Sequence, residues 1–488
     1  MESRRRVRRP EIFHRHFAAA CLCALGLGGC SFTPAYVRPA LPTPAVFPNQ
    51  AETTGSVATI GWRDFFPDPE LASLIQTALA NNRDLRVATA RLDQARAQAK
   101  FANAQLYPRL DAVAAGTRGR TPADLSPTGQ AETAASYQAV LQAAWEVDLW
   151  GRLRAGRASA RETYLASAEG RRAVATTLVE QVVIAYLLEA EYQERMQLAR
   201  RMAETREQSL RIMRRRYEVG SGSKLDMEQA ELLLRQAQLS LQGLEGDRAV
   251  NRDALDLLVG QPVEISSAGL DLEKLDRPAP TGLPSELLAN RPDVAAAEHQ
   301  LKAANADIGA ARAAFFPNIS LTAQGGTASA ALEHLFRAGQ GTWSFAPTLA
   351  QTVFDAGRNG ANLDLAKAKR DEAVAGYERT IQQAFRDVAD ALARRRQLAA
   401  QIATTESLLL ALEERARLAD LRFANGRSAY LEVLDAQRNL FNAQQDLVQL
   451  KRAYLTSGVA LYAALGGGFA ADGPLVIGAQ TPDRKTTP

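Results

Sequence analysis

Arg422-Phe423-Ala424-Asn425-Gly426-Arg427-Ser428-Ala429-Tyr430-Leu431 aligns without a gap on Arg216-Tyr217-Glu218-Val219-Gly220-Ser221-Gly222-Ser223-Lys224-Leu225, at an offset of about 206. The pairing continues through Ala230/Ala436, Leu234/Leu440, Ala237/Ala443, Gln238/Gln444, Leu241/Leu447, Leu244/Leu450, Leu255/Leu461 and Gly260/Gly466. Upstream, Asp84, Leu92, Ala102, Pro108 and Leu110 meet Asp293, Leu301, Ala311, Pro317 and Ile319 at an offset of about 209. Each copy is roughly 200 residues long, beyond the period of about 20–50 residues that marks a solenoid. The chain therefore reads as a duplicated unit that builds one pseudo-symmetric object. The copies span residues 61–273 and 274–466, followed by a flexible tail, 467–488.

Outward from the two glycines the pattern is helical on both sides. A proline-free run from Arg152 to about Glu218 precedes the first, and its counterpart from Arg358 to about Ala424 precedes the second. About 65 residues at 1.5 Å each reach roughly 100 Å. The chain turns at Gly220-Ser221-Gly222 and at Asn425-Gly426, which is C-cap chemistry. It returns with Leu440, Ala443, Leu447, Leu450, Tyr454, Leu461 and Ala464 at heptad seam places. The first copy offers Leu234, Ala237, Leu241, Leu244, Leu255 and Leu258, with Arg248 interrupting. These are coiled-coil hairpins with tips at about 217–223 and 423–428.

Before each hairpin a helix is expected; in the first copy it runs from Pro69 to about Tyr107 and stops at Pro108. Two alternating segments follow in each copy, at about 109–120 and 136–147, then 318–329 and 342–353. Ile319, Leu321 and Ala323 alternate with Ser320, Thr322 and Gln324, and Tyr137, Ala139, Leu141, Ala143 and Trp145 with Gln138 and Gln142. Trp343, Phe345 and Leu349 repeat the pattern, with Pro347 demanding a bulge or a sheet edge. About ten residues suit a tilted strand crossing an outer membrane, although a soluble hairpin with one wet face alternates in the same way. In the membrane reading four strands are too few to close, since the smallest membrane barrels have about eight, and open edges in hydrocarbon leave backbone groups unpaired. Several chains must then pool their strands.

The N-terminus reads as an address. Arg4, Arg5, Arg6, Arg8 and Arg9 precede an apolar run from Phe17 to Gly29, too short to span a bilayer and suited to a signal peptide over 1–29. Leu27-Gly28-Gly29-Cys30 looks like a lipobox, making Cys30 the acylated first residue of the mature chain. Residues 30–60, rich in proline, form a lipidated tether. The formal charge of +4 resides in the leader, whose six arginines outweigh two glutamates, so the mature chain is near neutral and carries no nucleic-acid footprint. No later run of 18 apolar residues suggests a transmembrane helix. His299 and His334 stand far apart without cysteine, so no metal site is expected. No cofactor beyond the lipid is expected, and no catalytic residues: a phosphate-cradling glycine loop, paired histidines and a nucleophile elbow are all missing.

Arg291-Pro292-Asp293-Val294-Ala295-Ala296-Ala297-Glu298, Ile308-Gly309-Ala310-Ala311 and Phe315-Phe316-Pro317-Asn318-Ile319-Ser320-Leu321 resemble the signature of the outer-membrane factor family, the TolC-like efflux lipoproteins of the NodT subgroup. Leu283-Pro284-Ser285-Glu286, Gly61-Trp62, Phe354-Asp355-Ala356-Gly357-Arg358 and Tyr430-Leu431-Glu432-Val433-Leu434-Asp435-Ala436-Gln437 are similar to further family motifs. The resemblance implies a mixed α and β membrane protein, internally duplicated. Its coiled-coil hairpins would form a periplasmic α-barrel, and four transmembrane strands per chain would enter a β-barrel shared by a homotrimer. It implies a lipid-anchored place in the outer membrane, and a periplasmic adaptor and an inner-membrane resistance-nodulation-division pump as partners. Small molecules would be exported. A type I secretion channel and a lipid-anchored periplasmic scaffold are the alternatives. By the same resemblance Leu431 and Asp435 form the periplasmic gate, an apolar ring and a carboxylate ring, while Gly220, Ser221, Gly426 and Ser428 form the adaptor-docking tips. Arg214, Arg215 and Arg216 stand ready to bridge to acidic groups.

Overall fold

The computed structural model describes residues 31–44, 46–47, 60–265, 270, 275–276 and 287–467. The leader, Cys30, the tail beyond residue 467 and the stretch 283–286 lie outside the described residues. In chain order the elements are α1 (Trp62–Phe65), α2 (Pro69–Asn81), α3 (Arg83–Ala104), β1 (Arg109–Thr121), β2 (Glu132–Val147), α4 (Arg152–Glu218) and α5 (Lys224–Val259). The second copy supplies α6 (Leu287–Asn290), α7 (Pro292–Ala313), β3 (Asn318–Ser329), β4 (Gly341–Ala350), α8 (Arg358–Ala424) and α9 (Tyr430–Ala464). The duplication is legible element by element: α3 and α7 both run for 22 residues, α4 and α8 both for 67.

One expected helix is two. Asn82 leaves helical geometry at φ −56°, ψ 134°, ending α2. Its Oδ1 accepts from Leu85 N at 2.9 Å, capping α3, and its Nδ2 donates to Leu258 O at 2.9 Å. An asparagine that satisfies both a helix start and a foreign carbonyl outweighs the continuity of the apolar pattern.

Packing divides the chain into two compact units, and each draws on both copies. The first holds the described residues up to Pro39, with Asp93–Leu165 and Glu298–Ala375. Within it β1-β2-β3-β4 form one antiparallel sheet in sequence order. Pro347 falls on β4, an edge of that sheet, where a missing N–H is tolerated.

The second unit comprises Ala40–Leu92, Ala166–Ala297 and the residues from Gly376 onward. Side-chain bonds there order its long helices. Asn251 of α5 donates to Ala185 O of α4, Arg195 of α4 to Gln445 of α9, and Arg415 of α8 to Asp435 of α9. The sequence of neighbours is thus α5, α4, α9, α8. An apolar stretch of α4 meets the length and composition of a membrane span, yet more than half of it is buried, with Leu178, Val182 and Tyr186 in this unit's core.

Candidate functional site

Cross-strand partners in an antiparallel sheet share a face, so the register assigns every strand residue to one side. Leu110, Ala112 and Ala114 of β1 lie opposite Ala143, Leu141 and Ala139 of β2. Leu141, Ala143, Trp145 and Val147 face Gly325, Ala323, Leu321 and Ile319 of β3. Those four pair in turn with Trp343, Phe345, Pro347 and Leu349 of β4. From the row of Val147, Ile319 and Leu349 to that of Ala112, Leu141, Gly325 and Trp343 the face bears no charged, amide or hydroxyl side chain; Thr327, opposite Ala139, is the first. The other face carries Asp111, Gln138, Gln142, Ser320, Thr322, Gln324, Ser344 and Thr348. The apolar face is bare: Trp343 is 81% exposed, and Leu110, Leu141, Phe345 and Leu349 are exposed as well.

All four junctions between strand and helix fall at one end of the sheet, and aromatic residues mark them. Tyr107 precedes β1, Trp145 and Trp150 close β2, Phe315 and Phe316 precede β3, and Phe354 follows β4. Tyr107, Phe315, Phe316 and Phe354 are exposed. Trp145 Nε1 donates to Leu106 O at 3.0 Å and Trp150 Nε1 to Pro317 O at 2.9 Å, so the two indoles are fixed by their polar edges. Rings with one wet and one apolar side suit a membrane interface. Tyr137, Trp145, Trp343 and Phe345 are legible from alternation alone. Tyr107, Phe316 and Phe354 are not, and their signal is an aromatic next to the proline or turn that bounds a strand.

The tips are built alike. Gly220 (φ +74°) and Gly426 (φ +69°) take the left-handed conformation that ends a helix without a Cβ clash. Gly220 N donates to Tyr217 O and Ser221 N to Arg216 O, while Gly426 N donates to Phe423 O and Arg427 N to Arg422 O. Both are Schellman closures. The restart differs between copies. Ser223 caps α5, accepting from Asp226 N at 3.1 Å, a role announced by the Ser-x-x-Asp spacing. Ser428 caps nothing; the cap position is Ala429, and Ser428 Oγ is buried without a hydrogen bond. Of the three arginines before the first tip, Arg215 pairs with Glu218 at 3.4 Å and Arg216 covers the Phe423 ring at 5.3 Å.

Behind the tips one cluster joins all four long helices: Leu210 and Met213, Ala230 and Leu234, Ala416 and Ala419, and Tyr430, Val433, Leu434 and Ala436. Leu431 points away from it and is 60% exposed. Asp435 is not a bare carboxylate. It accepts from Arg415 of α8 and from Arg438 of its own helix, both at 2.6 Å. Counter-charge is thus supplied from within the chain. Nearby, the buried Arg206 guanidinium donates to Gln437 Oε1 at 2.8 Å, and the Gln437 amide nitrogen donates on to Asp420 at 3.2 Å. Burial pulls Arg206 below the usual guanidinium range. Sequence reasoning missed this relay, because a neutral amide between two charges has no pattern of its own.

A cavity of about 630 Å³ in the second unit is lined by Glu180, Asp293, Asp387 and Asp390 against Arg291, Arg386, Arg394 and Arg452. Its charges balance. Burial and the neighbouring Asp387 hold Glu180 above the ordinary carboxylate range. Among the described residues no group of three or more His, Cys, Asp or Glu side chains is placed to hold a metal.

Comparison with known proteins agrees with this construction. The family described as outer membrane efflux protein matches residues 74–261 and again 283–467. A probable efflux pump outer membrane protein of Pseudomonas putida, TtgC, is 44% identical over 454 residues, 91% of this chain and 93% of that protein. The cation efflux system protein CusC of Escherichia coli is 39% identical over 457 residues, 91% of this chain and 97% of that protein. The open state of the MtrE outer membrane channel of Neisseria gonorrhoeae superposes with a TM-score of 0.83 at 37% identity, covering 90% of this chain and 98% of that one. With a matched family over most of its length and the same sheet-and-hairpin construction, the chain belongs to the outer membrane efflux protein family.

Proposed function

We propose that three copies of this chain close into one conduit through the outer membrane and into the periplasm, exporting small molecules handed over by a periplasmic adaptor and an inner-membrane pump. The observation that carries this reading is the sheet: an exposed apolar face, a polar face, and two outer edges, on β1 and β4, that no further strand among the described residues pairs. In hydrocarbon each unpaired backbone group costs several kcal/mol, and joining β1 of one copy to β4 of the next removes both edges at once. Three four-stranded sheets give a barrel of twelve, an even number within the range that outer-membrane barrels use. The long helices support the same ring. Their outermost members, α5 and α8, carry exposed leucines: Leu225, Leu232 and Leu239 at seven-residue spacing on α5, and Leu408, Leu410, Leu418 and Leu421 on α8.

In this reading the polar sheet face lines a wet path, and the work of the protein is passage and closure. Leu431 narrows the periplasmic mouth, Asp435 with Arg415 and Arg438 fastens it, and the tips at Gly220, Ser221, Gly426 and Ser428 receive the adaptor. Cys30 carries the lipid that holds the mature N-terminus to the membrane. Names of relatives include toluene, solvent, antibiotic and cation efflux. That breadth fits a channel whose selectivity is set by the pump. Cysteines placed along β1 at Ala112 and Ala114 and along β4 at Phe345 and Leu349 test the closure. Oxidative cross-linking in native outer membranes should give a ladder ending at three chains. Cross-links confined within single chains would end the proposal.

A further inference from the structure

The segment Phe32–Arg38 does not run free. It lies antiparallel to α7 and touches that helix at every turn. Arg38 Nη2 donates to both oxygens of Glu298 at 2.8 and 2.9 Å, and Tyr36 Oη donates to Glu298 Oε1 at 3.2 Å. Lys302, which also pairs with Glu298 at 3.0 Å, covers the Tyr36 ring at 5.3 Å. One turn on, Asn305 Nδ2 donates to Pro34 O at 2.8 Å. Thr33 packs on Gly309 so closely that a Cβ there would lie 2.9 Å from both Thr33 N and Thr33 Cα. Arg312 Nη1 donates to Phe32 O at 3.2 Å, and the Phe32 ring stacks on Phe316 at 4.6 Å, with Trp150 on Phe316 at 4.9 Å. Positions 298, 302, 305, 309, 312 and 316 recur three or four apart, one face of the helix and its continuation. Glu298 and Asn305 are buried, so removing the segment would strand polar groups that it satisfies.

We propose that Phe32–Arg38 is a permanently docked strap that sets the height of the mature N-terminus, so that the lipid on Cys30 and the aromatic belt at the strand–helix junctions meet the membrane as one interfacial surface. The partner is the inner face of the outer membrane. Distances decide why docking matters. A flexible chain of about 30 residues, free from Cys30 to Ile60, would let the lipid wander roughly 30 Å. A strap fixed at Phe32 leaves two residues, about 7 Å of reach. The headgroup layer on each side of the hydrocarbon is itself only about 5–7 Å deep. A docked strap therefore keeps the lipid attachment in the layer where Tyr107, Trp145, Phe316 and Phe354 lie, and a loose tether does not. This inference rests on the reading of Cys30 as acylated.

The test uses the full chain in its own outer membrane. Gly309→Val places a side chain where Thr33 lies and ejects the strap; Arg38→Gln loosens it without a substitution in α7. Chymotrypsin cleavage after Phe32 or Tyr36 should rise about tenfold in both variants, since proteolysis follows the population of the open form. The amount of assembled channel in the outer membrane should fall severalfold in both. The same substitutions are then made in a chain exported behind a non-lipoprotein leader, so that it starts at Ser31 without a lipid. There they should cause no further loss of assembly, because strap and lipid act as one unit and their effects do not add. Unchanged cleavage, or an equal additional loss in the lipid-free chain, overturns the proposal. The mass of the mature N-terminal peptide separates the two readings: an unacylated Cys30 with an intact, protected strap would sink the acylation reading and the lipid coupling, while leaving the docking itself measured.

Discussion

Glu189 explains why the seam of α5 breaks at Arg248. This carboxylate is 0% exposed, and its Oε1 gathers Arg248 at 2.7 Å, Arg252 at 3.2 Å and the Gln193 amide at 3.1 Å. The charged residue that spoils the heptad is thus the partner of a buried charge on the facing helix. Burial raises the Glu189 pKa, but the hydrogen bonds from Arg248 and Gln193 and the charge of the two arginines outweigh it, leaving the carboxyl below its ordinary range. Glu189→Gln should destabilise the helical hairpins by about 3–5 kcal/mol at neutral pH, the usual consequence of removing one partner of a buried pair. A folded-state pKa below the unfolded one gives stability that is full above about pH 4.3 and lost as pH falls through the lower, folded value. The gap between wild type and Glu189→Gln in thermal melts of the helical signal should therefore close on acidification; a constant gap would mean that Glu189 acts by packing alone. At the tip, Asp435 links α8 to α9 through Arg415, so Arg415→Ala and Asp435→Ala should raise single-channel conductance in planar bilayers severalfold, and Leu431→Ala should add to either. Unchanged conductance in correctly assembled oligomers would exclude these residues from the proposed gate.

Among the elements, the sheet turns alternation into a property that can be measured. Leu141 and Gln142 are neighbours in β2, and the register puts them on opposite faces. An arginine in place of Leu141, in the middle of the apolar face, should cost about 2–4 kcal/mol of insertion free energy, whereas Gln142→Arg should be tolerated. Folding yields into lipid vesicles decide it, and equal yields would mean that the apolar face does not meet lipid. The two 67-residue helices and the positions of all four strands were legible in the sequence, because a period of 3.6 without proline and a period of 2 are strong signals over those lengths. Other features were not. The break at Asn82 depends on a carbonyl 176 residues away, and the docking of Phe32–Arg38 depends on a bare Gly309 some 280 residues on. A proline-rich stretch has no periodicity to disclose what it lies against. Gly309 was visible within the family motif, but its reason, room for Thr33, exists only after folding. The relay through Gln437 was not legible either.

For the whole molecule, three-fold symmetry multiplies small effects. In the proposed trimer α5 of each copy meets α8 of the next, so one substitution alters three seams. Leu232 sits between Leu225 and Leu239 on the exposed stripe of α5, and burying such a side chain contributes about 2 kcal/mol. Placing a carboxylate there in every copy forfeits about 6 kcal/mol across the ring, roughly four orders of magnitude in the assembly equilibrium. Leu232→Glu should therefore move the detergent-solubilised protein from a trimer that resists dissociation without boiling to single chains. The helical signal of each chain should survive, because Leu232 lies outside the cluster of Leu210, Leu234, Ala416 and Tyr430 that each chain builds alone. Leu410→Lys or Leu418→Lys on α8 should restore part of the assembly if the two stripes face one another, since opposite charges then meet across each seam. Leu232→Glu trimers as stable as wild type would show that this stripe faces solvent or another partner. In that case closure would rest on the strand edges of β1 and β4 alone.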